Sequence, residues 1–338
     1  MKKTGNTYCF QDPPRVLAYA SVVGKKEGEG PLSRDFDYIS DDNTFGEQTW
    51  EKAESRMMSM ALERALSKAH LPPSQLGCIL GGDLLNQCIG TTFALRPTNV
   101  PFLGLYGACS TMAEGLLVAS CLVESGFEQT ACAITSSHFC SAERQYRYPL
   151  EYGGQRPQTA QWTATASGAV VLQKGGMGVR ITHATPGRIA DPGVTSQANM
   201  GAAMALSAYE TISRFFQDTH TGPSHYDLIV TGDLGKGGHQ IVIDLFQRDG
   251  IDMRPTYDDC GLLLYDGSQD VHAGGSGCGC SAAVLCSYIL KAMEQGIFRK
   301  VLFCGTGALL SPTSCNQGQS IPGICHLICL EADEKWNM

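Results

Sequence analysis

Two stretches of this chain, 150 residues apart, repeat one design. Leu71-Pro-Pro-Ser-Gln-Leu-Gly-Cys-Ile-Leu-Gly-Gly-Asp83 aligns with Thr221-Gly-Pro-Ser-His-Tyr-Asp-Leu-Ile-Val-Thr-Gly-Asp233. Each copy follows a helix-like segment, Glu54 to His70 in the first and Ala202 to Gln217 in the second. Farther on, Cys109-Ser-Thr-Met-Ala-Glu-Gly-Leu-Leu through Phe127 aligns with Gly279-Cys-Ser-Ala-Ala-Val-Leu-Cys through Ile297, at an offset of 170. Strand-and-helix units recurring in the same order, with one longer insertion between them, point to a duplicated α/β half. The period is far longer than the roughly 20–50 residues of solenoid repeats. The halves are expected over 1–175 and 176–338, with the Gly-rich turn Gln173 to Gly178 as their seam.

Periodicity supports alternating helices and strands. Met57, Ala61, Ala65 and Ala69, flanked by Met58, Leu62 and Leu66, form a helical stripe that stops before Pro72-Pro73. Ala131 to Thr135, Ser167 to Leu172, Lys300 to Cys304 and Gly323 to Leu330 read as buried strands. His138 to Trp162 is polar, aromatic and rich in Pro and Gly. It is expected as a long loop covering a site or an interface.

Composition narrows the function classes. A chain of 338 residues with 43% hydrophobic and 17% charged residues is neither disordered nor too small to bury a core. No apolar run reaches the roughly 18 residues needed to cross a bilayer. The opening MKKTGNTYCFQDPP lacks the apolar region of a secretory signal, so the protein is expected in the cytoplasm. A net charge of −8 disfavours nucleic acid and anionic lipid as direct partners. The 15 cysteines are odd in number and mostly lie in apolar segments, as small core residues of a reducing compartment. Cys278-Gly-Cys280 is too tight for a zinc knuckle, and Cys325 and Cys329 fall on one face of a terminal strand. Neither a metal centre nor a cofactor is expected.

The chemistry concentrates at Cys109. Pro101 to Tyr106 reads as a short strand and Ser110 to Glu124 as a helix, which places Cys109 at the helix start. Free N–H groups and the dipole there favour a thiolate. The same geometry also makes an anion site with a thiol beside it. Nucleophile and anion site both remain open on the residues alone.

A duplicated α/β half with such a cysteine resembles the thiolase-like superfamily. Gly107-Ala-Cys-Ser110 resembles the nucleophile turn of its ketoacyl synthases, and Ser167-Gly-Ala-Val-Val-Leu172 the strand that closes their first half. Gly274-Gly-Ser-Gly-Cys-Gly-Cys-Ser281 resembles the turn before their last core helix. The resemblance implies an α/β fold of duplicated αβαβα halves in five layers, paired as a homodimer through a central strand. More specifically, several segments resemble the stage V sporulation protein AD family of endospore-forming bacteria. They are Gly82-Asp-Leu-Leu-Asn-Gln87, Ser136 to Tyr148, Glu151-Tyr-Gly-Gly-Gln-Arg156, Asp259-Cys-Gly261 and Gly307 to Pro312. That resemblance implies direct binding of dipicolinic acid (pyridine-2,6-dicarboxylate) and a role in moving it into the developing spore. Calcium enters only as the acid's companion. The implied partners are the SpoVA membrane proteins, which would hold the chain at the forespore membrane.

An acyl-transferring relative needs groups that hold the thioester oxygen and move a proton. The ketoacyl synthase pattern carries His-Gln where this chain has Gly232-Asp233, and Ser276 stands at the second expected position. His272 would substitute only if its turn were shifted. Cys109 is therefore expected as a vestigial nucleophile position, with an acyltransferase using Cys109 and His272 or His138 as the runner-up. A pure scaffold is the third possibility. For a dicarboxylate ligand the candidate residues are Asp83, Cys109, His138, Arg144, Arg147, Tyr148 and Ser276, with Tyr146 and Tyr152 also able to flank a ring. At least one of Arg144 and Arg147 is expected to reach the pocket, since arginine pairs bidentately with carboxylates. Either could instead pair with Glu143 or Glu151. Asp83 and Asp233 are candidate helix caps, a role favoured for Asp233, whereas Asp83 is also placed for a direct or calcium-mediated ligand contact. His138 has an equally plain reading as a satisfied loop histidine, and His183 and His239 carry no motif.

Overall fold

The computed structural model describes residues 1–146 and 155–333. Both halves build the same five strands. In the first they are β1 (Arg15–Val23), β2 (Cys78–Gly82), β3 (Phe102–Gly104), β4 (Thr130–Ser137) and β5 (Ala166–Gln173). The second has β6 (Val179–Thr185), β7 (Leu228–Thr231), β8 (Tyr257–Asp259), β9 (Lys300–Ala308) and β10 (Gly323–Ala332). The first half runs in the order β3-β2-β4-β5-β1 and the second in the order β8-β7-β9-β10-β6. In each, the three strands farthest from the seam are parallel and the other two pairings are antiparallel. The half-sheets join edge to edge where Arg15 of β1 pairs with Arg180 of β6. The short strand Thr7–Cys9 also pairs with β6.

The helices are α1 (Trp50–Ala69), α2 (Ile89–Leu95), α3 (Thr111–Glu124) and α4 (Phe139–Tyr146) in the first half. The second half has α5 (Met200–Thr219), α6 (Gly235–Arg248) and α7 (Cys278–Val284), the last continuing helically to Glu294. The 150-residue offset is kept to the residue. Helix α1 ends on His70 at φ 51°, and α5 ends on His220 at φ 54°. Of the stripe expected along α1, Met57, Met58, Ala61, Leu62, Ala65 and Leu66 are buried, and Thr49 caps the start by accepting the Lys52 amide.

Three apolar cores separate five layers. Leu80, Ala133, Val170, Phe303 and Ile328 point inward onto α3 and α7. Their strand neighbours Ile79, Cys132 and Val171 turn outward onto α1. On the other side Leu302, Cys304 and Leu327 turn outward onto α5. Strands buried on both faces use every second residue for each core, which is why they read as continuous apolar runs. Two close approaches press the central helices against the sheets. A Cβ on Gly307 of β9 would lie 2.5 Å from the Gly107 carbonyl oxygen, and one on Gly279 of α7 would lie 2.2 Å from that of Ala166. One expectation changes here. Phe139–Tyr146, read as loop, is helix α4, directly following β4.

Candidate functional site

The site lies where the starts of α3 and α7 converge between the two half-sheets. Ala108 takes a left-handed φ of 49° and Cys109 follows in a 3-10 turn that runs into α3. Such a conformation at a non-glycine residue stores strain held by its surroundings. Here the turn is pinned by Ser110 Oγ donating to the Gly107 carbonyl and Thr111 Oγ1 donating to that of Ala108. Opposite it, Gly277 adopts φ 97°, where a Cβ would meet Ser137 Oγ at 2.6 Å.

Asp233 links the two turns. Its Oδ2 accepts the Gly277 amide at 2.9 Å and the Ser276 hydroxyl at 3.1 Å, and its Oδ1 accepts the Thr306 hydroxyl at 2.8 Å. The Cys109 thiol is hydrogen-bonded to the same carboxylate. Burial, with the nearby Asp233 charge, pushes the Cys109 thiol well above its ordinary value. Burial also raises Asp233 to about 7. The thiolate expected at this helix start is therefore absent, because desolvation and a carboxylate outweigh the helix dipole. The cap expected of Asp233 is also overturned. Asp259 caps α6, accepting the amides of Leu234 at 2.8 Å and Gly235 at 3.0 Å, which leaves Asp233 to the donors on the Gly-rich turn and β9.

In front of Cys109 opens a cavity of about 530 Å³. Asp83, Cys109 and Ser276 line it as expected, together with Tyr106, Glu143 and Tyr146, and Leu85, Met200 and Leu310 supply apolar wall. Asp83 also caps: it accepts the Leu85 amide at 2.8 Å and both the amide and hydroxyl of Thr91, in the first turn of α2, at 2.7 and 2.6 Å. Behind it Glu54 is fully buried, accepting Ser136 Oγ at 3.0 Å and Ser141 Oγ at 2.6 Å; burial and then the Asp83 charge raise it to about 8.

Other expected residues lie elsewhere. His138 is buried, with Nε2 against the Asn43 carbonyl at 2.8 Å and Nδ1 accepting the Cys140 amide, so it does not line the cavity. His272 contacts the Pro157 carbonyl and Asp270 beside a different cavity. Neither histidine offers a proton acceptor to Cys109, and the rearranged acyltransferase loses both its bases. Arg144 pairs with Glu51 on the outer side of α4 rather than reaching the cavity. Arg147, Tyr148, Glu151 and Tyr152 lie outside the described residues. Among the described lining residues there is no lysine or arginine.

Sequence reasoning missed Thr306, Glu54 and the inward turn of Glu143. A signal existed for the first: Thr306 matches Ser136 at the 170-residue offset, and both hydroxyls donate to a buried carboxylate. As for metals, His183, Cys329 and Glu331 bring their ligating atoms within 4.8 Å of one another. The Thr182 hydroxyl, however, already bonds to His183 Nδ1 at 3.0 Å and donates to Glu331 at 3.3 Å.

The paired half-sheets and the cysteine heading a central helix define a thiolase-like fold. Solved structures agree at the level of fold. Aquifex aeolicus 3-oxoacyl-(acyl-carrier-protein) synthase III has TM-score 0.56 and 14% identity over 94% of this chain and 99% of that one. An OleA variant of Xanthomonas campestris with cerulenin has TM-score 0.63 and 13% identity over 98% and 100%. The family profile of Stage V sporulation protein AD (SpoVAD) matches residues 4–331, and the Bacillus subtilis protein of that name is 45% identical over 332 residues, 98% of each chain. The chain belongs to the stage V sporulation protein AD family.

Proposed function

We propose that the chain binds dipicolinate in the cavity before Cys109, serves its uptake into the developing spore, and performs no acyl transfer. One observation carries this reading: the Asp233 carboxylate takes up the amide and hydroxyl donors beside Cys109 while a cavity remains in front. A site that turns over acyl groups aims such donors at a developing oxyanion, and here a carboxyl group of the chain itself already holds them. At about 530 Å³ the cavity suits a small aromatic ligand. Its lining carries Asp83 and Glu143, so a bare dianion is repelled and the calcium chelate is favoured. Calorimetric titration with dipicolinate, with and without calcium, tests this. Saturable binding near one site per chain, tighter with calcium, is expected. Absence of binding under both conditions refutes the reading and leaves the scaffold.

The same reading makes the chain a homodimer through the β3 edge and ties it to SpoVA membrane proteins at the forespore membrane. Supporting the first, β3 is a sheet edge on which Leu103 is 48% exposed and the nearby Tyr106 is 65% exposed. For the second, the support is membership of the family, and no helix among the described residues is long and apolar enough to cross a membrane.

A further inference from the structure

We infer that Asp233 is an internal occupant of the donor cluster at Cys109, a positioning residue that restrains the reactivity of the thiol and fills the place an incoming anionic oxygen would take. The cluster is built for an anion. An amide and a hydroxyl from the Gly-rich turn, a hydroxyl from β9 and a thiol all converge on one fully buried carboxylate. Those donors come from positions 109, 276, 277 and 306, so tertiary structure rather than local sequence assembles them. The backbone of Asp233 is fixed as firmly as its side chain. Its N–H donates to Thr306 Oγ1 at 3.0 Å, and its carbonyl accepts Gln161 Nε2 at 2.6 Å. Gln161 also donates to the Gly275 carbonyl, tying Asp233 to the Gly-rich turn from behind.

The Gly277 amide serves two acceptors. It donates to Asp233 Oδ2 and also approaches the Cys109 sulfur, where it favours the thiolate. With the carboxylate present, the thiol's own proton completes the set and the sulfur stays neutral. With the carboxylate replaced by an amide of the same shape, the repulsion disappears and the Gly277 N–H remains to stabilise a thiolate. The other titratable groups acting on the pair are Cys260, Cys278, Cys280, Tyr146 and Asp259. All are neutral or acidic, and none supplies a compensating cation. This inference does not depend on which ligand the cavity takes.

Alkylation of Cys109 by iodoacetamide, followed on its own peptide by mass spectrometry across pH, tests it. A one-unit fall in the thiol's pKa raises the thiolate fraction about tenfold near neutral pH. Asp233→Asn is expected to speed labelling of Cys109 by about that factor or more and to move its pH profile to lower pH, with cysteines remote from Asp233, such as Cys9 and Cys140, unchanged. An unchanged profile in folded Asp233→Asn overturns the inference. A second measurement uses the native chain and is independent of whether that variant folds. The infrared S–H stretch of Cys109, taken as the difference from Cys109→Ala, is expected at lower frequency than an unbonded thiol's. A free-thiol frequency, or no S–H band for Cys109, overturns it equally.

Discussion

Asp83 and Asp233 stand at matched positions of a duplicated unit and hold opposite things. Asp83 gathers the start of a short helix, whereas Asp233 gathers the far side of the site. Removing Asp83 strands the Thr91 amide and hydroxyl and the Leu85 amide in a buried place. Asp83→Ala is therefore expected to cost about 2 kcal/mol of stability in a denaturant titration, together with the calcium-dependent part of ligand affinity. A variant as stable as the parent would mean that water satisfies those groups. Cys109 was legible in the sequence because a strand-to-helix step is a local signal. The direction of Asp233 was not, since its side chain answers to an amide 44 residues away and a hydroxyl 73 residues away. Local preference for a helix cap lost to those tertiary donors.

At the scale of elements, the site depends on how closely β9 approaches the Cys109 turn. Gly307→Ala would place a methyl group 2.5 Å from the Gly107 carbonyl oxygen and 3.1 Å from the Ser110 amide nitrogen, both backbone atoms with little room to yield. Unfolding experiments should show a loss of about 3 kcal/mol, together with weaker ligand binding; an unperturbed midpoint would show that the turn can move. Strand β3 gives a different kind of test. For the proposed dimer, the parent chain is expected to sediment as a dimer and Leu103→Lys, with the fold intact, as a monomer; a monomeric parent or a dimeric variant would refute pairing through this edge. Most elements were legible from period and punctuation. Helix α4 was not: the residues it buries are Ser141, Ala142 and Glu143, so its inner face carries no apolar stripe.

For the whole molecule, buried carboxylates set the response to pH. Glu54 is raised from 4.5 to about 8 and Asp233 from 3.8 to about 7, in both cases first by burial. Between those values the folded state keeps protons that the unfolded chain releases. Stability is therefore greatest on the acidic side of the window and falls as pH rises through it, by up to about 1.4 kcal/mol per pH unit for each group. Thermal unfolding is expected at a higher midpoint near pH 5.5 than near pH 8, with a shallower slope in Glu54→Gln. A midpoint that rises over that range would refute the assignment. The duplication made the layered architecture readable, but not the pairing of Arg15 with Arg180, which unites the two half-sheets. That seam has a mechanical consequence. Because a hydrogen-bonded edge joins the halves and α3 packs on strands of both, the described residues offer no hinge at which the halves could open like a clam. For the ligand proposed above, the way into the cavity would then run past rim side chains such as Tyr106 and Tyr146 rather than between moving domains.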